Sequence, residues 1–410
     1  MSGQTEIMWG EVAEIASANE WKDTLLDEVA DIIPGFAFKS QEFGSRGEVV
    51  IKIKDINQGF VDFNNTDRVV TLNYAKGKLD KYRISFGDYV VAMTGATIGK
   101  VGRVKLNKTA LINQRVAKIK SKPGISNDFV YYCLSGEDFQ LFIQNNIDSN
   151  SAQENISGGS IGRYPILLPP LAEQRAIAGV LCSLDDKIDL LHRQNATLEA
   201  LAETLFRQWF VEEAKDEWEE RKVGDIATHL KVGINPVANP TVMYHQYSLP
   251  AYDNGQVPTR ELGLEILSNK YEVSPNTILI SKLNPRFPRI WAIGNSIEDN
   301  SVCSTEFQVF KPKKQSLYAY FYFLIKSEDV VGEMTMAASG TSGSHQRIRP
   351  EDILNIKVRI PSIEKAEEFS SITQGFIDKA DKDRRVIQTL STLRDTLLPK
   401  LMSGEVRVAY

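Results

Sequence analysis

The chain has 410 residues, 42% apolar and 25% charged, with a formal net charge of −5. These values fit a globular protein of two or three domains. They exclude a membrane-spanning chain, because no apolar run approaches the roughly 20 residues a span requires.

The N-terminus is acidic and lacks a signal-peptide core. Cys133, Cys182 and Cys303 are far apart, odd in number and never CxxC, which reads as reduced thiols in a cytoplasmic protein. Four scattered histidines make no metal spacing. The net charge on its face argues against nucleic acid, but charge is unevenly placed. Residues 76–122 hold twelve Lys or Arg against Asp80 and Asp88, a local net of +10. Residues 172–220 hold twelve Asp or Glu against five Lys or Arg, a local net of −7. A basic globular part joined to an acidic rod hides its polarity in the total. The alternative for either segment alone is a solvated charged face.

In chain order, residues 1–19 read as a short arm. A globular part over 20–168 opens at Trp21 with a strand leading into a short helix. Short β-branched segments follow at 49–53, 68–72, 89–93, 100–104 and 115–119, as in a compact mixed α/β domain. The aromatic helix 129–134 reads as core. A polar loop over 149–165 contains Gln153.

A long helix is predicted over Pro169–Phe210, within the segment 169–216. Its seam runs Ile177, Leu181, Leu184, Ile188, Leu191, Asn195, Leu198, Ala202, Leu205 and Trp209, alternating steps of four and three. That is a heptad pattern with one polar interruption, along a rod of about 55 Å, and it requires a partner helix.

The partner comes 192 residues later, where Ile360-Pro361-Ser362-Ile363 repeats Leu168-Pro169-Pro170-Leu171 and Asp378-Lys379-Ala380-Asp381 repeats Asp186-Lys187-Ile188-Asp189. The second seam includes Phe376, Ile387, Leu390, Leu397 and Leu401. It is weaker, with Asp383 and Arg394 at seam positions. The globular part over 217–360 repeats the first: Trp218 answers Trp21, and the aromatic helix 318–325 answers 129–134. Its polar loop 339–352 carries Gln346 where the first has Gln153. The helix and tail over 361–410 close the repeat. The chain is therefore two tandem copies of one unit. Between Ala30 and Tyr82 the first copy has no clear counterpart in the second, so one frame carries two different surfaces.

Catalytic patterns are near misses. Gly95-Ala-Thr-Ile-Gly99-Lys100-Val101 is one residue short of a phosphate loop and lacks its Ser/Thr, so a Gly-rich β turn is expected. Asn284-Pro285-Arg286-Phe287 lacks the second proline of the amino-methyltransferase loop. No H-E-x-x-H occurs. The sequence assigns no chemistry to this chain.

The block from Leu168 to Phe210 resembles the central conserved region of the specificity subunits of type I restriction-modification systems. So do the opening at Trp21–Leu26, the Gly95–Gly99 turn and the closing Leu401–Val408. The resemblance covers nearly the whole chain, and the central block is its specific part. It implies a mixed α/β, pseudo-twofold protein. Two target-recognition domains are separated by two long antiparallel coiled-coil helices, and each domain reads half of a split DNA site. It further implies two methyltransferase subunits using S-adenosylmethionine, and motor-nuclease subunits using ATP and Mg²⁺, with no cofactor in this chain. Charge and loop placement, rather than the resemblance, nominate the DNA contacts. In the first domain these are Lys76, Lys78, Lys81, Arg83, Lys100, Arg103 and Gln153. In the second they are Lys282, Arg286, Arg289, Gln346, Arg347 and Arg349. The rivals are a coiled-coil scaffold without nucleic acid, against which the +10 cluster stands, and a fused enzyme, against which the missing motifs stand.

Overall fold

A computed structural model describes residues 21–57, 59–147, 154–338 and 346–409. The expected arm over 1–19 and Gln153 lie outside the described residues. The chain forms two compact units, one running up to Asp185 and including Thr392–Tyr410, the other spanning Asp186–Ser391.

In the first unit, strand Lys22–Leu25 pairs antiparallel with Pro165–Leu168 and leads into helix Leu26–Val29. A six-stranded sheet follows the order Ala30–Pro34, Val116–Ser121, Tyr89–Ala92, Val101–Arg103, Gly59–Val61, Ile56–Asn57. A five-stranded sheet follows the order Phe43–Gly44, Asp67–Val69, Glu48–Ile51, Ala110–Ile112, Arg83–Ile84. Tyr89–Ala92 is buried on both faces, which accounts for its unbroken apolar run. Helix Asn127–Ser135 starts where the Ser126 hydroxyl accepts the Phe129 amide, and its aromatics enter the core as expected.

The second unit repeats this plan. Glu219–Lys222 pairs with Lys357–Ile360 and precedes helix Val223–Ile226. A four-stranded sheet runs Ala227–Leu230, Phe307–Pro312, Thr277–Ser281, Ile290–Ile293. A five-stranded sheet runs Gly233–Ile234, Lys270–Glu272, Ser301–Ser304, Met243–Tyr247, Thr259–Leu262. Helix Tyr318–Lys326 is buried from Tyr318 through Ile325.

Two expectations change. The stretch between Ala30 and Tyr82 does have a counterpart in topology. Asp67–Val69, Glu48–Ile51, Ala110–Ile112 and Arg83–Ile84 share strand order with Thr259–Leu262, Met243–Tyr247, Ser301–Ser304 and Lys270–Glu272. Each set holds one parallel pair, Leu111 opposite Val50 and Gln246 opposite Val302. Strand pairing constrains only which face a side chain takes, so the residues diverge while the order persists. The polar stretch 149–165 is also not wholly loop. Ser157 caps a short helix, Gly158–Gly162, by accepting the Ser160 amide at 3.0 Å.

The long helices are Leu171–Arg207, continued by a π turn to Glu212, and Ile363–Met402. Each is shared between the two units. In the first unit Ile177 and Leu181 enter one core with Leu398 and Leu401. There Arg394 donates to Asp185 at 2.9 Å, and Arg407 donates to the buried Glu173 at 2.8 Å. In the second unit Ala202, Phe206 and Phe210 meet Ala366, Phe369 and Ile377. Within each unit the two segments therefore run in opposite directions.

Ile188 and Leu191 are buried, while Leu184, Asn195, Leu198, Ile387 and Leu390 are half-buried. Phe206, Phe210, Ile377 and Leu398 are more buried than the expected seam residues one place earlier, Leu205, Trp209, Phe376 and Leu397. A straight helix drifts about 20° per heptad from a 3.5-residue repeat, and here the helix ends pack on globular cores rather than on a helix alone. Asp383 is accommodated by Lys379, one turn earlier.

Candidate nucleic-acid interface

In the first unit, cations lie over a cluster of rings in which Phe38 is buried and Phe36, Phe43, Tyr74 and Tyr82 are half-buried. Phe36 packs 5.0 Å from Phe38 and 5.3 Å from both Tyr74 and Tyr82, and Phe43 joins at 6.1 Å from Phe38. Lys52 Nζ sits 3.9 Å from the Phe43 centroid, Lys78 Nζ 5.5 Å from Tyr74, and Lys81 Nζ 4.8 Å from Tyr82. The ring faces attract these ammonium groups, although Lys52 is also paired with Asp67 at 3.1 Å, which offsets its charge. Burial and the Glu42 carboxylate, which accepts from Tyr74 Oη at 2.7 Å, push the Tyr74 phenol up to about 12.

Backbone contacts carry this cluster to one end of the unit. Phe36 bridges Asn113, and the Gln114 amide donates to the Phe36 carbonyl at 3.0 Å. The Met93 amide donates to Arg115, Thr94 bridges Asn155, and the Gly95 amide donates to Glu154 at 3.1 Å. The Gly95–Gly99 segment is the turn of the hairpin joining Tyr89–Ala92 to Val101–Arg103, with φ of +73° at Gly95 and +82° at Gly99. Positive φ explains both glycines without a phosphate.

Not every nominated cation serves this surface. Lys76, Lys78, Lys81 and Lys100 are exposed. Arg83 pairs with Glu48, whose carboxyl is held below its usual range first by that hydrogen bond. Arg103 is brought elsewhere: it pairs with Asp128 at 3.1 Å and lies against Cys182 on the first long helix. Lys118 pairs with Asp88 at 2.8 Å. The +10 run is thus partly spent inside the fold.

The second unit builds the equivalent end from other residues. Asn284, at φ +50°, takes the place of Gly95, and its amide donates to the Gln346 carbonyl at 2.9 Å. Leu283 bridges Arg347, and Lys282 donates to the Thr305 carbonyl at 2.6 Å beside Tyr271. Arg347 pairs with Glu306 at 2.9 Å, while Arg286 and Arg349 are exposed. Burial holds the Lys282 ammonium below its ordinary pKa. Glu306 opposes that, and Arg347 and Lys231 add to it. Arg289 is held by Asp253 in a two-bond pair at 2.7 and 2.9 Å. The two near-miss motifs, Gly95–Val101 and Asn284–Phe287, therefore occupy the same turn in the two units.

Sequence reasoning missed Phe36, Phe38, Phe43, Tyr74, Tyr82 and Lys52. The only signal was aromatic residues interleaved with lysines at 74–82, in a stretch where the repeat alignment was silent.

Residues 18–200 and 215–391 each match the type I restriction modification DNA specificity domain, and the chain belongs to that family. It is 25% identical over 346 residues to the MjaIX specificity subunit of Methanocaldococcus jannaschii, covering 75% of this chain and 76% of that one. The EcoBI specificity subunit of Escherichia coli is 34% identical over 199 residues, 46% of this chain and 37% of that one. The S subunit crystal structure from M. genitalium overlays with a TM-score of 0.62 across 94% of this chain and 97% of that one. At 17% identity that likeness is one of fold.

Proposed function

We propose that each unit binds one half of a bipartite DNA sequence through the turn-and-loop surface described above. The chain is a specificity subunit of a type I restriction-modification system, a component that selects sequence and does not carry the chemistry. It acts with DNA and with other subunits of such a system. The observation that carries the bipartite reading is the duplication itself. Two copies of one frame present different side chains, lysines over rings in the first unit and an arginine-rich surface at the Asn284 turn of the second. Lysines over rings would hold phosphates in a salt-dependent way, and Arg and Gln would read G and A edges.

The long helices would carry two methyltransferase subunits that modify adenine with S-adenosylmethionine. Motor-nuclease subunits using ATP and Mg²⁺ would complete the assembly. Among the described residues no helix is long and apolar enough to cross a membrane.

The test is a genome-wide map of adenine methylation in a host carrying the partner methyltransferase, with and without this chain. A split motif that appears only with the chain is expected. An unchanged map from an assembled complex would favour a scaffold.

A further inference from the structure

Phe287 stands out of the second unit where the first unit tucks its equivalent in. Both turns are closed the same way: the Ile98 amide donates to Gly95 at 2.9 Å, and the Phe287 amide to Asn284 at 2.9 Å. Ile98 then packs against the first unit's core. Phe287 remains 65% exposed. The next residue supplies the reason. Gly99 takes a φ of +82°, which brings the chain onto Gln140 and Ile143. Pro288 has its φ fixed near −65° and is denied that path.

The exposed ring is also rigidly mounted. Prolines flank the Arg286-Phe287 pair, Pro285 is buried, and Asn284 is tied to Gln346 through its backbone. A turn whose backbone is already fixed loses little backbone freedom on meeting a partner. Its surroundings are cationic. The Arg286 guanidinium lies 5.6 Å from the ring centroid, and Lys282 and Arg347 belong to the same end of the unit. An isolated exposed apolar side chain is ordinary. One held out by prolines at the turn bonded to Gln346, among cations, fits a polyanion whose interior is flat and apolar.

We propose that Phe287 makes an apolar contact with a base of the second half-site, its ring against the base while Arg286 engages a neighbouring phosphate. This rests on the DNA-binding reading and deepens it. It gives this turn of the second unit an apolar probe that the matching turn of the first lacks. Phenylalanine is suited to a thymine methyl or an opened base step, and either contact is lost on truncation to alanine.

The experiment uses the full chain assembled with its methyltransferase partners. Phe287→Ala, Phe287→Leu and Arg286→Ala are compared with wild type by methylation mapping and by DNA binding at several salt concentrations. Phe287→Ala is expected to weaken binding to the wild-type motif roughly tenfold and to relax one position within one half-site. The other half-site and the salt slope should be unchanged, because no charge is removed. Arg286→Ala should lower the salt slope by about one. Phe287→Leu keeps apolar volume without the flat ring and should fall between alanine and wild type. It carries the test if the alanine variant unfolds early. A wild-type motif with both Phe287 variants binding and methylating as wild type would overturn the proposal alone. So would a loss spread evenly over all sequences. Absence of any wild-type motif would overturn the DNA-binding reading and this inference together.

Discussion

Lys282 is a cation placed where its charge is poorly solvated. Burial depresses its pKa, and Arg347 and Lys231 add to that against the pull of Glu306. A phosphate arriving there would relieve the strain, so Lys282→Met is expected to weaken DNA binding and lower the salt slope by about one. Binding isotherms at four salt concentrations would show this, and an unchanged slope would remove Lys282 from the interface. The same depression has a consequence for the free protein. Between the folded pKa and 10.5, the unfolded chain binds more protons than the folded one, so stability rises with pH across that window. Lys282→Met should abolish this rise, as denaturant titrations between neutral and alkaline pH would reveal. At this scale the sequence was partly legible. Charge alone nominated Lys78 and Lys81, which the fold leaves exposed. It could not tell that Arg103 would be consumed by Asp128, because that carboxylate comes from a helix 25 residues on.

Among elements, the two long helices were the most legible feature, since a four-three repeat admits few other readings. What periodicity could not supply was the drift of the buried stripe toward Phe206, Phe210 and Ile377, which depends on what the helix ends pack against. Asn195 sits midway along the helix pair. Its Nδ2 donates to the Ala380 carbonyl at a long 3.4 Å, and its Oδ1 is buried without a partner. Asn195→Leu is expected to raise stability by about 1 kcal/mol and to loosen helix alignment, seen as a higher melting temperature with self-association by light scattering. Unchanged values for both would refute a register role. Glu199 anchors the same helix to the second unit through Lys326 and through Tyr322, whose Oη donates at 3.0 Å; Glu203 meets Lys326 at 2.8 Å. Burial raises the Glu199 pKa, but Lys326 and Tyr322 outweigh it and leave it below the ordinary value. Its contribution is therefore complete above about 4.5 and lost as pH falls through the folded value. Glu199→Gln should cost about 1–3 kcal/mol at neutral pH and flatten the acid limb of the stability curve, measured by urea unfolding from pH 3 to 7.

For the whole molecule, the duplication was legible because the helices repeat without a gap, and Trp21, Trp218 and the aromatic helices mark the same frame. The shared second sheet was not, because strand order survives where residue identity does not. Both long helices belong to both units, so their length is a natural determinant of the unread spacer in the DNA motif. Matched insertions of four residues after Ala196 and after Gln388 add about 6 Å of helix each. They are expected to change the spacer and leave both half-site sequences as they were. A methylation motif of unaltered spacing would contradict this.

The first unit is completed by a segment that follows the whole second unit in sequence. Its core takes Leu398 and Leu401, and its buried Glu173 takes Arg407 as counter-ion and accepts Trp21 Nε1 at 3.1 Å. The second unit, Asp186–Ser391, is contiguous. During synthesis the first unit therefore stays incomplete until the whole second unit has been made. Roughly 200 residues separate the two parts of the first unit, a delay of about 10–40 s at ordinary elongation rates. A chain truncated after Ser391 and released should show a protease-resistant second unit and a cleavable first one. The domain that leaves the tunnel first is thus the one that spends longest incomplete and in need of a chaperone.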